Sequence, residues 1–285
     1  MIGSQTSIPG RESRERIFVV DKVNGMISDQ FDFGENWKNY SASILDDKRL
    51  ADARRALVDL FGKDRLHGCS FLDVGSGSGI VSVAAAQSGA REVVGIDINP
   101  KCIEVGERNA NRFIRGRVDI RFEQGSVLDR DVMEKLGVFD IVYAWGSLHH
   151  TGDMYRAIGN VLPHVKSGGV LCLAIYKYHF TSPVWRVIKR FYNLSPKWLQ
   201  KFWIGLFYPI IYIAKFLVTF RRPGKMERGM GFYYDVVDWL GGYPYEYATE
   251  KEIVDFVLPR GFRHIRTIPA KVPTGNQEYL FEKSN

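Results

Sequence analysis

Two carboxylates and a run of alternating glycines between Phe71 and Pro100 have the spacing of a small-molecule binding turn. Residues 71–79 read FLDVGSGSG, so a short apolar run enters glycines at alternate positions, where a ligand can approach bare backbone. Helix formers follow from Ile80 to Gln87, and a second apolar run ends on Asp97. A carboxylate at the tip of the second strand of a β-α-β unit is placed to accept hydrogen bonds from both hydroxyls of a ribose.

The glycine spacing distinguishes two kinds of ligand. Dinucleotide-binding turns read G-x-G-x-x-G and direct a helix N-terminus at a pyrophosphate. Here the third glycine comes one residue earlier, and Asp73 stands two residues before the first glycine. A carboxylate at that position repels a pyrophosphate and attracts an ammonium group. The turn therefore favours a ligand with a ribose, an amino group and no phosphates, although an ordinary glycine turn of another Rossmann-like protein is the alternative.

S-adenosylmethionine fits that description, and the stretch resembles the first two motifs of class I S-adenosylmethionine-dependent methyltransferases. The resemblance covers roughly residues 68–175. Within the family, this stretch is similar to the small-molecule group that includes quinone-biosynthesis enzymes. It implies an α/β fold, with a Rossmann-like doubly wound sheet of seven strands and helices on both faces. It also implies S-adenosylmethionine as the cofactor, bound by Asp73, Gly75, Ser76, Gly77, Gly79, Asp97, Ile98, Ser126, Val127 and Ala144.

The rest of the chain divides around this core. We expect residues 1–45 to be an N-terminal arm, whose Phe33 and Trp37 cover the cofactor as such segments often do in the resembling family. Residues 46–176 and 248–285 are expected to form the methyltransferase core. Residues 177–247 are expected to be an aromatic-rich helical insertion, because the minimal fold would pass almost directly from its fifth strand to its last helix. An insertion at that edge of the sheet can act as a lid.

Polar and aromatic residues follow the expected fourth strand, where doubly wound sheets hold their ligands. His149 and His150 have the intrinsic pKa of a general base for a hydroxyl or phenol acceptor, and they are the candidate catalytic residues. In the resembling family, similar histidines also pack beside the cofactor, so both roles stay open. The residues expected on the acceptor side are Trp145, Tyr176, Tyr243, Tyr245, Glu246 and Asn276.

The composition of the chain limits the covalent links, the metals and the cell compartment that can be expected for it. The chain has 285 residues, a formal charge of +7 and three distant cysteines, and the sequence contains no cluster with metal-ligand spacing. We therefore expect no disulfide framework, no metal and a cytoplasmic location, and the N-terminus lacks the apolar run of a signal peptide. The positive charge suits an acidic partner, but no dedicated nucleic-acid module is recognisable.

One segment, Phe202 to Phe220, is apolar over nearly the length of a membrane span. Polar residues recur along it at helical spacing, and Pro209 interrupts it, both of which argue against a span. We expect a lid or a homodimer contact through residues 198–222, with a membrane-lying helix as the main alternative and a span as the third. Nearby basic residues, including Lys189, are expected to face water or anionic headgroups.

The acceptor is left open between several classes. Methyltransferases of nucleobase or amide nitrogens often carry Asn or Asp before Pro-Pro and an aromatic residue after strand four, whereas residues 144–147 here read AWGS. Methylation of oxygen, carbon or a simple amine in a small molecule is therefore favoured. The alternatives are a macromolecule, RNA or protein, a membrane lipid or quinone, and a noncatalytic cofactor-binding protein.

Overall fold

The computed structural model describes residues 46–116, 118–220 and 232–285, and they contain one seven-stranded sheet. The strands are β1 Ser70–Val74, β2 Glu92–Asp97, β3 Asp119–Gln124, β4 Phe139–Trp145, β5 Val165–Tyr176, β6 Phe262–Ile268 and β7 Asn276–Lys283. Their order across the sheet is β3-β2-β1-β4-β5-β7-β6. Strands β1 to β5 are parallel, and β7 runs antiparallel to both of its neighbours. The predicted doubly wound sheet of seven strands is confirmed.

Ten helices lie in the described residues, and several begin where the sequence signals a cap. They are α1 Asp47–Phe61, α2 Lys63–Leu66, α3 Ile80–Gln87, α4 Pro100–Phe113, α5 Arg130–Glu134, α6 Met154–Val161, α7 Ser182–Leu194, α8 Lys197–Thr219, α9 Phe232–Gly241 and α10 Glu250–Val257. Asn99 caps α4 by accepting from Lys101 N at 3.0 Å, and Pro100 opens the helix. Thr249 and Glu252 form a capping box at the start of α10.

Alternate side chains of the strands enter two separate cores. Leu72 and Val142 pack on one face of the sheet with residues of α5, α6 and α10. Phe71 and Ile141 pack on the other face with residues of α1, α3 and α4. Because both faces of the central strands are covered, the strands are apolar on both sides. The expectation of helices on both faces is confirmed.

The strand order reverses between β1 and β4, and this reversal positions the candidate site. β1 pairs with β2 on one side and with β4 on the other, all in the same direction. In such sheets a crevice opens beyond the carboxyl ends of the strands where the order reverses. The glycine turn after β1 and the 145–150 segment after β4 therefore lie at the same edge.

In the sequence, Gly168 and Gly169 favour a turn at residues 166–169 ahead of the fifth strand, but these residues form a distortion inside β5. The strand begins at Val165, and its pairing with β4 shifts from Phe139–Val165 to Ile141–Val170. Four residues of β5 thus oppose a single residue of β4, and Gly168 adopts a φ of +71° that allows the extra residues to bulge outward. The chain then rejoins the ladder without leaving the sheet.

Helices α7, α8 and α9 fall in the 177–247 segment and have a core of their own. Its buried members are Tyr192, Ile204, Phe232, Val236 and Leu240. The division into arm, core and lid stays a prediction, because the 1–45 arm, with Phe33, Trp37 and a strand expected at residues 17–20, lies outside the described residues.

Helix α8 starts earlier than the apolar segment that predicted it and runs through Pro209. In the part of the chain that the structure describes, α8 is the one helix long and apolar enough to cross a membrane by length and composition. Only 6% of its most apolar window is buried inside the protein. The polar stripe noted in the sequence turns partly inward, since Tyr208 and Tyr212 pack on the Phe232 ring of α9 at 4.9 and 5.4 Å.

Candidate functional site

The glycine turn is a tight backbone structure between β1 and α3. Gly75, Gly77 and Gly79 have φ values of +75°, +53° and +70°. Gly75 N and Ser76 N both donate to the Ile96 carbonyl of β2, at 2.8 and 3.1 Å, which ties the turn to the neighbouring strand. The hydroxyl oxygen of Ser76 is buried and has no hydrogen-bond partner among the described residues. A ligand seated on the turn would find bare backbone and an unsatisfied hydroxyl.

At two of these positions the neighbouring residues leave no room for a side chain. A Cβ on Gly75 would lie 2.3 Å from the Cβ of Ser147, in the segment that follows β4. A Cβ on Gly79 would lie 2.8 Å from Gly106 Cα and from the Phe122 ring. Ser147 is fixed in turn, because its hydroxyl donates to the Val74 carbonyl at 2.7 Å. The turn therefore packs directly against the segment that carries the candidate acceptor residues.

Asp97 holds the tip of β2 in place. Its carboxylate accepts hydrogen bonds from Gly77 N and Asn99 N, both at 2.9 Å. Burial raises the pKa of the Asp97 carboxyl, and the hydrogen bonds from Asn99 and Gly77 oppose that rise. The carboxylate thus connects the glycine turn to the start of α4, at the edge where a ribose was predicted.

Asp73 lies beneath the turn. Its side chain is buried and accepts a hydrogen bond from the Ser82 hydroxyl of α3 at 2.7 Å. Burial raises the pKa of the Asp73 carboxyl to about 7, and the nearby charge of Asp97 adds to the rise. Ser82 could not be predicted as a partner of Asp73, because its only signal in the sequence is a polar residue on the apolar α3 helix. A cation above the turn would oppose this rise.

Ile98, Ser126 and Val127, which the resemblance assigns to the cofactor, follow the ends of β2 and β3. Gly125 N donates to the Asp97 carbonyl at 2.9 Å, which joins the two loops. Ile98 and Val127 are half-buried, so part of each apolar side chain is exposed. Ser126 accepts from Leu128 N at 3.2 Å within its own loop. Ala144 is fully buried inside β4 and exposes no surface, so its predicted contact with the cofactor stays a prediction.

Trp145 and Asn276 form a polar wall on the other side of the edge. Trp145 ends β4 and pairs with Ala174 of β5, while Asn276 begins β7 and pairs with Tyr176 of β5. The indole nitrogen of Trp145 donates to Glu278 at 3.0 Å. The side-chain oxygen of Asn276 is buried and has no hydrogen-bond partner among the described residues. The structure therefore brings these two predicted acceptor residues to one edge.

His149 and His150 are buried in an aromatic cluster with Tyr176. The His149 ring lies 4.0 Å from the Tyr176 ring and 4.4 Å from the His150 ring. Nδ1 of His150 is 2.7 Å from the Pro244 carbonyl oxygen. Burial lowers the pKa of His149 well below its usual value and that of His150 to about 3. Both rings are neutral and weakly basic in this conformation, and their predicted role as a base stays untested.

Tyr245 and Lys189, which belong to the 177–247 segment, pack beside this aromatic cluster. The Lys189 amine donates to the Trp239 carbonyl and lies 4.1 Å from the centre of the Trp239 ring and 4.9 Å from that of Tyr245. The expectation that Lys189 faces water or headgroups is wrong, because α7 turns this side chain inward and buries it completely. Burial lowers its pKa to about 7. Tyr245 is also buried, which favours packing over direct substrate contact.

Glu246 connects the insertion to the 145–150 segment. Its backbone nitrogen donates to the His149 carbonyl at 3.0 Å, and Oε1 accepts from Met154 N at the start of α6. Oε2 is buried and has no partner among the described residues. Burial raises the pKa of the Glu246 carboxyl to about 7. Tyr243, three residues before it, is half-buried beside this junction. No group of residues able to hold a metal ion is found within the described ranges.

Comparisons with known proteins concern the family and the fold of the chain. Residues 71–169 match the family model described as a methyltransferase domain. The chain is 37% identical over 113 residues to a magnesium-protoporphyrin O-methyltransferase of Rhodobacter capsulatus, covering 39% of this chain and 46% of that protein. It is 38% identical over 100 residues to a ribosomal protein L11 methyltransferase of Deinococcus radiodurans, covering 33% and 36%. The chain thus spans less than half the length of these relatives.

The fold match extends further than the sequence match. The crystal structure of magnesium protoporphyrin IX methyltransferase from Synechocystis with bound SAH superposes with a TM-score of 0.53 at 19% identity, over 88% of this chain and 94% of that one. At this identity the likeness establishes the fold alone. Together with the family match over the glycine turn, β2 and β4, it confirms the resemblance recognised in the sequence. Residues 71–169 therefore form a methyltransferase domain, in a chain with the fold of the S-adenosylmethionine-dependent methyltransferases that it resembles.

Proposed function

We propose that this chain transfers the methyl group of S-adenosylmethionine to oxygen, carbon or a simple amine of a small-molecule acceptor. The observation that carries the proposal is the packing of the glycine turn. Gly75 has no room for a Cβ against Ser147, and the adjacent Asp97 holds the turn through Gly77 N. A cofactor cradle and the candidate acceptor wall are therefore parts of one packed edge.

The residues present fit the cofactor. Asp97 would accept from the ribose hydroxyls, and the turn with buried Asp73 beneath it would hold the positively charged amino-acid end. Ile98 and Val127 offer half-exposed apolar surface to the adenine. When bound, S-adenosylmethionine supplies an electrophilic methyl group. The protein's part is to orient an acceptor atom against it and to exclude water.

Proton removal from the acceptor can be assigned to few groups on this side. His150 is a weak base, because its pKa is lowered to about 3, and its Nδ1 already contacts the Pro244 carbonyl. Glu246 has a pKa of about 7 and an oxygen without a hydrogen-bond partner in the described residues, although its other oxygen binds the start of α6. We therefore favour catalysis by positioning, with Glu246 ahead of either histidine where a base is needed.

The names of the relatives support two classes of acceptor. The magnesium-protoporphyrin O-methyltransferase favours an oxygen of a small molecule, and the L11 methyltransferase favours a protein. Both matches cover less than two fifths of this chain, so neither name decides the acceptor. The lack of a recognisable macromolecule-binding module in the sequence keeps the small molecule first.

Calorimetric titration with S-adenosylmethionine tests the cofactor half. Asp97→Asn should weaken binding by about 2–4 kcal/mol, or roughly 30- to 1,000-fold, because hydrogen bonds to a charged carboxylate are lost. Asp119→Asn, an exposed carboxylate at the opposite end of the neighbouring β3, is the matched control and should bind as the wild type does. Equal affinity in both variants, or no binding by the wild type, would contradict the proposal.

The acceptor class is tested with methyl-labelled cofactor. The protein is incubated with a panel of phenols, catechols and amines, and separately with ribosomal protein L11. Label in a small molecule supports the first reading, whereas label in L11 alone would replace it with the protein acceptor. Cofactor binding without transfer to any acceptor would leave a noncatalytic binding protein.

A further inference from the structure

The outer sides of α7 and α8 each carry a stripe of exposed apolar residues that no described part of the chain covers. On α8, Trp198 and Phe202 are 72% and 61% exposed. On α7, the exposed apolar residues recur at helical spacing and form one stripe. We call this the α7–α8 outer face, and its principal members are Val184, Val187, Phe191, Leu194, Trp198, Phe202, Leu206, Ile210, Ile213 and Leu217.

The inner sides of the same helices already pack against α9. Tyr192 of α7 and Ile204 of α8 are buried with Phe232 and Leu240 of α9. The polar positions of α8 also turn partly inward, where the Lys215 amine lies 5.8 Å from the Phe232 ring. Packing within the insertion therefore leaves the more apolar side of α8 outward. An exposed apolar stripe that runs along most of a helix of this length indicates a binding partner.

The charge of these helices identifies the partner. Residues 182–219 contain six Lys and Arg residues and no Asp or Glu. One of the six, Lys189, is completely buried inside the protein. Arg190, Lys197 and Lys201, in contrast, are exposed. None of these three forms an ion pair with a carboxylate in the described ranges. Exposed Trp and Phe beside Lys and Arg are typical of helices that lie in the headgroup region of a bilayer.

We propose that the α7–α8 outer face docks this protein on an anionic lipid bilayer, with α8 lying in the interface. The helix of 23 residues is about 35 Å long at 1.5 Å per residue. In this arrangement the apolar side chains enter the acyl boundary, while Arg190, Lys197 and Lys201 meet the anionic headgroups.

Two other occupants fit the surface less well. A second copy of the chain would bring the same basic residues into contact with their like, and juxtaposed like charges disfavour association. A membrane span would have to remove α8 from Tyr192 and Phe232, which bury its inner side, and would leave Lys215 and two Tyr facing lipid.

Vesicle flotation of the purified full chain tests the proposal. We expect binding to phosphatidylcholine vesicles that contain phosphatidylserine, and little binding to phosphatidylcholine alone. Phe202→Glu should weaken binding on the order of tenfold or more, because it puts a carboxylate in the apolar face. Lys197→Gln and Lys201→Gln should each weaken it about fivefold, the equivalent of one basic residue at an anionic surface.

Matched controls lie elsewhere on the surface. Val138→Glu changes another exposed apolar residue, 54% exposed before β4, and Lys63→Gln changes an exposed lysine after α1. Both should bind vesicles as the wild type does. Trp198→Glu repeats the test on a second exposed position, and unchanged urea unfolding midpoints show that the variants fold. Cofactor titration is run in parallel, since it should be unaffected by these surface changes.

Three results would overturn the proposal. Equal binding to neutral and anionic vesicles would exclude the electrostatic part. Failure to bind either, with a dimer in sedimentation equilibrium that Phe202→Glu dissociates, would make the face a subunit contact. A protein that stays in cell membranes through high-salt and alkaline extraction would make α8 a span.

Discussion

Substituting Gly75 tests whether the cofactor turn and the acceptor segment are one packed unit. Gly75 has a φ of +75°, and an added Cβ would lie 2.3 Å from Ser147 Cβ and 2.7 Å from its Oγ. Gly261 provides a matched control, because it has a φ of +82° and no atom within 4 Å of an added Cβ. The two glycines therefore share the backbone cost of Ala and differ in the steric cost.

The magnitudes can be estimated separately. An L-residue in the left-handed region costs about 1–2 kcal/mol, and this is the whole expected loss in the free energy of unfolding for Gly261→Ala. Overpacking adds about 1–3 kcal/mol, so Gly75→Ala should lose about 2–5 kcal/mol. Ser147→Gly alone loses the hydrogen bond to the Val74 carbonyl, about 1 kcal/mol. In the double variant the clash is gone, because the nearest remaining Ser147 atom is Cα at 3.7 Å.

Urea unfolding of the two single variants and the double variant closes the cycle. The double variant should be more stable than the sum of the single losses predicts, by the 1–3 kcal/mol of relieved overpacking. Titration with S-adenosylmethionine should follow the same order, with Gly75→Ala weakest and partly rescued by Ser147→Gly. Additive losses, or a Gly75→Ala variant no worse than Gly261→Ala, would refute the packing of the turn against Ser147.

Two further predictions concern pH. The pKa of Asp73 is raised to about 7, and a cofactor ammonium nearby would lower it, so the affinity for S-adenosylmethionine should rise with pH up to about 7 and level off above it. Asp73→Asn should abolish this dependence in calorimetry, and a flat wild-type profile would exclude the contact. Burial lowers the pKa of Lys189 from 10.5 to about 7, so the unfolded chain binds one more proton between these values. The free energy of unfolding should therefore rise with pH across that window, and urea midpoints of Lys189→Met should lack this rise.

The part of the site expected to bind the cofactor could be predicted from the sequence, because short stretches of consecutive residues determine its structure. The glycine spacing, the apolar strands and Asn99 with Pro100 each determine the conformation of a few consecutive residues, and β1, α3, β2 and the start of α4 follow from them. The distortion in β5 was missed for the complementary reason. Gly168 and Gly169 have the composition of a turn, but their ladder with β4 resumes beyond them.

The part of the site expected to face the methyl acceptor could be predicted only in part, because its contacts join segments that are distant in the sequence. Residues of β4 and β7 could be expected at one edge from the order of the strands, as Trp145 and Asn276 are. Nothing local indicates that Lys189, which lies on a helix with exposed basic residues, is buried under Trp239. Ser82 was missed because its partner Asp73 lies nine residues away across the glycine turn.

The 145–150 segment is the structural connection between these two parts of the site. Glu246 N donates to the His149 carbonyl, and His150 contacts the Pro244 carbonyl, so the insertion holds one side of the segment. Ser147 binds Val74 and packs on Gly75, so the cofactor turn holds the other side. Any acceptor that moves the insertion must therefore shift or strain a segment in van der Waals contact with the cofactor cradle. Because binding linkage is reciprocal, a cofactor that fixes the turn would order the acceptor side by the same free energy.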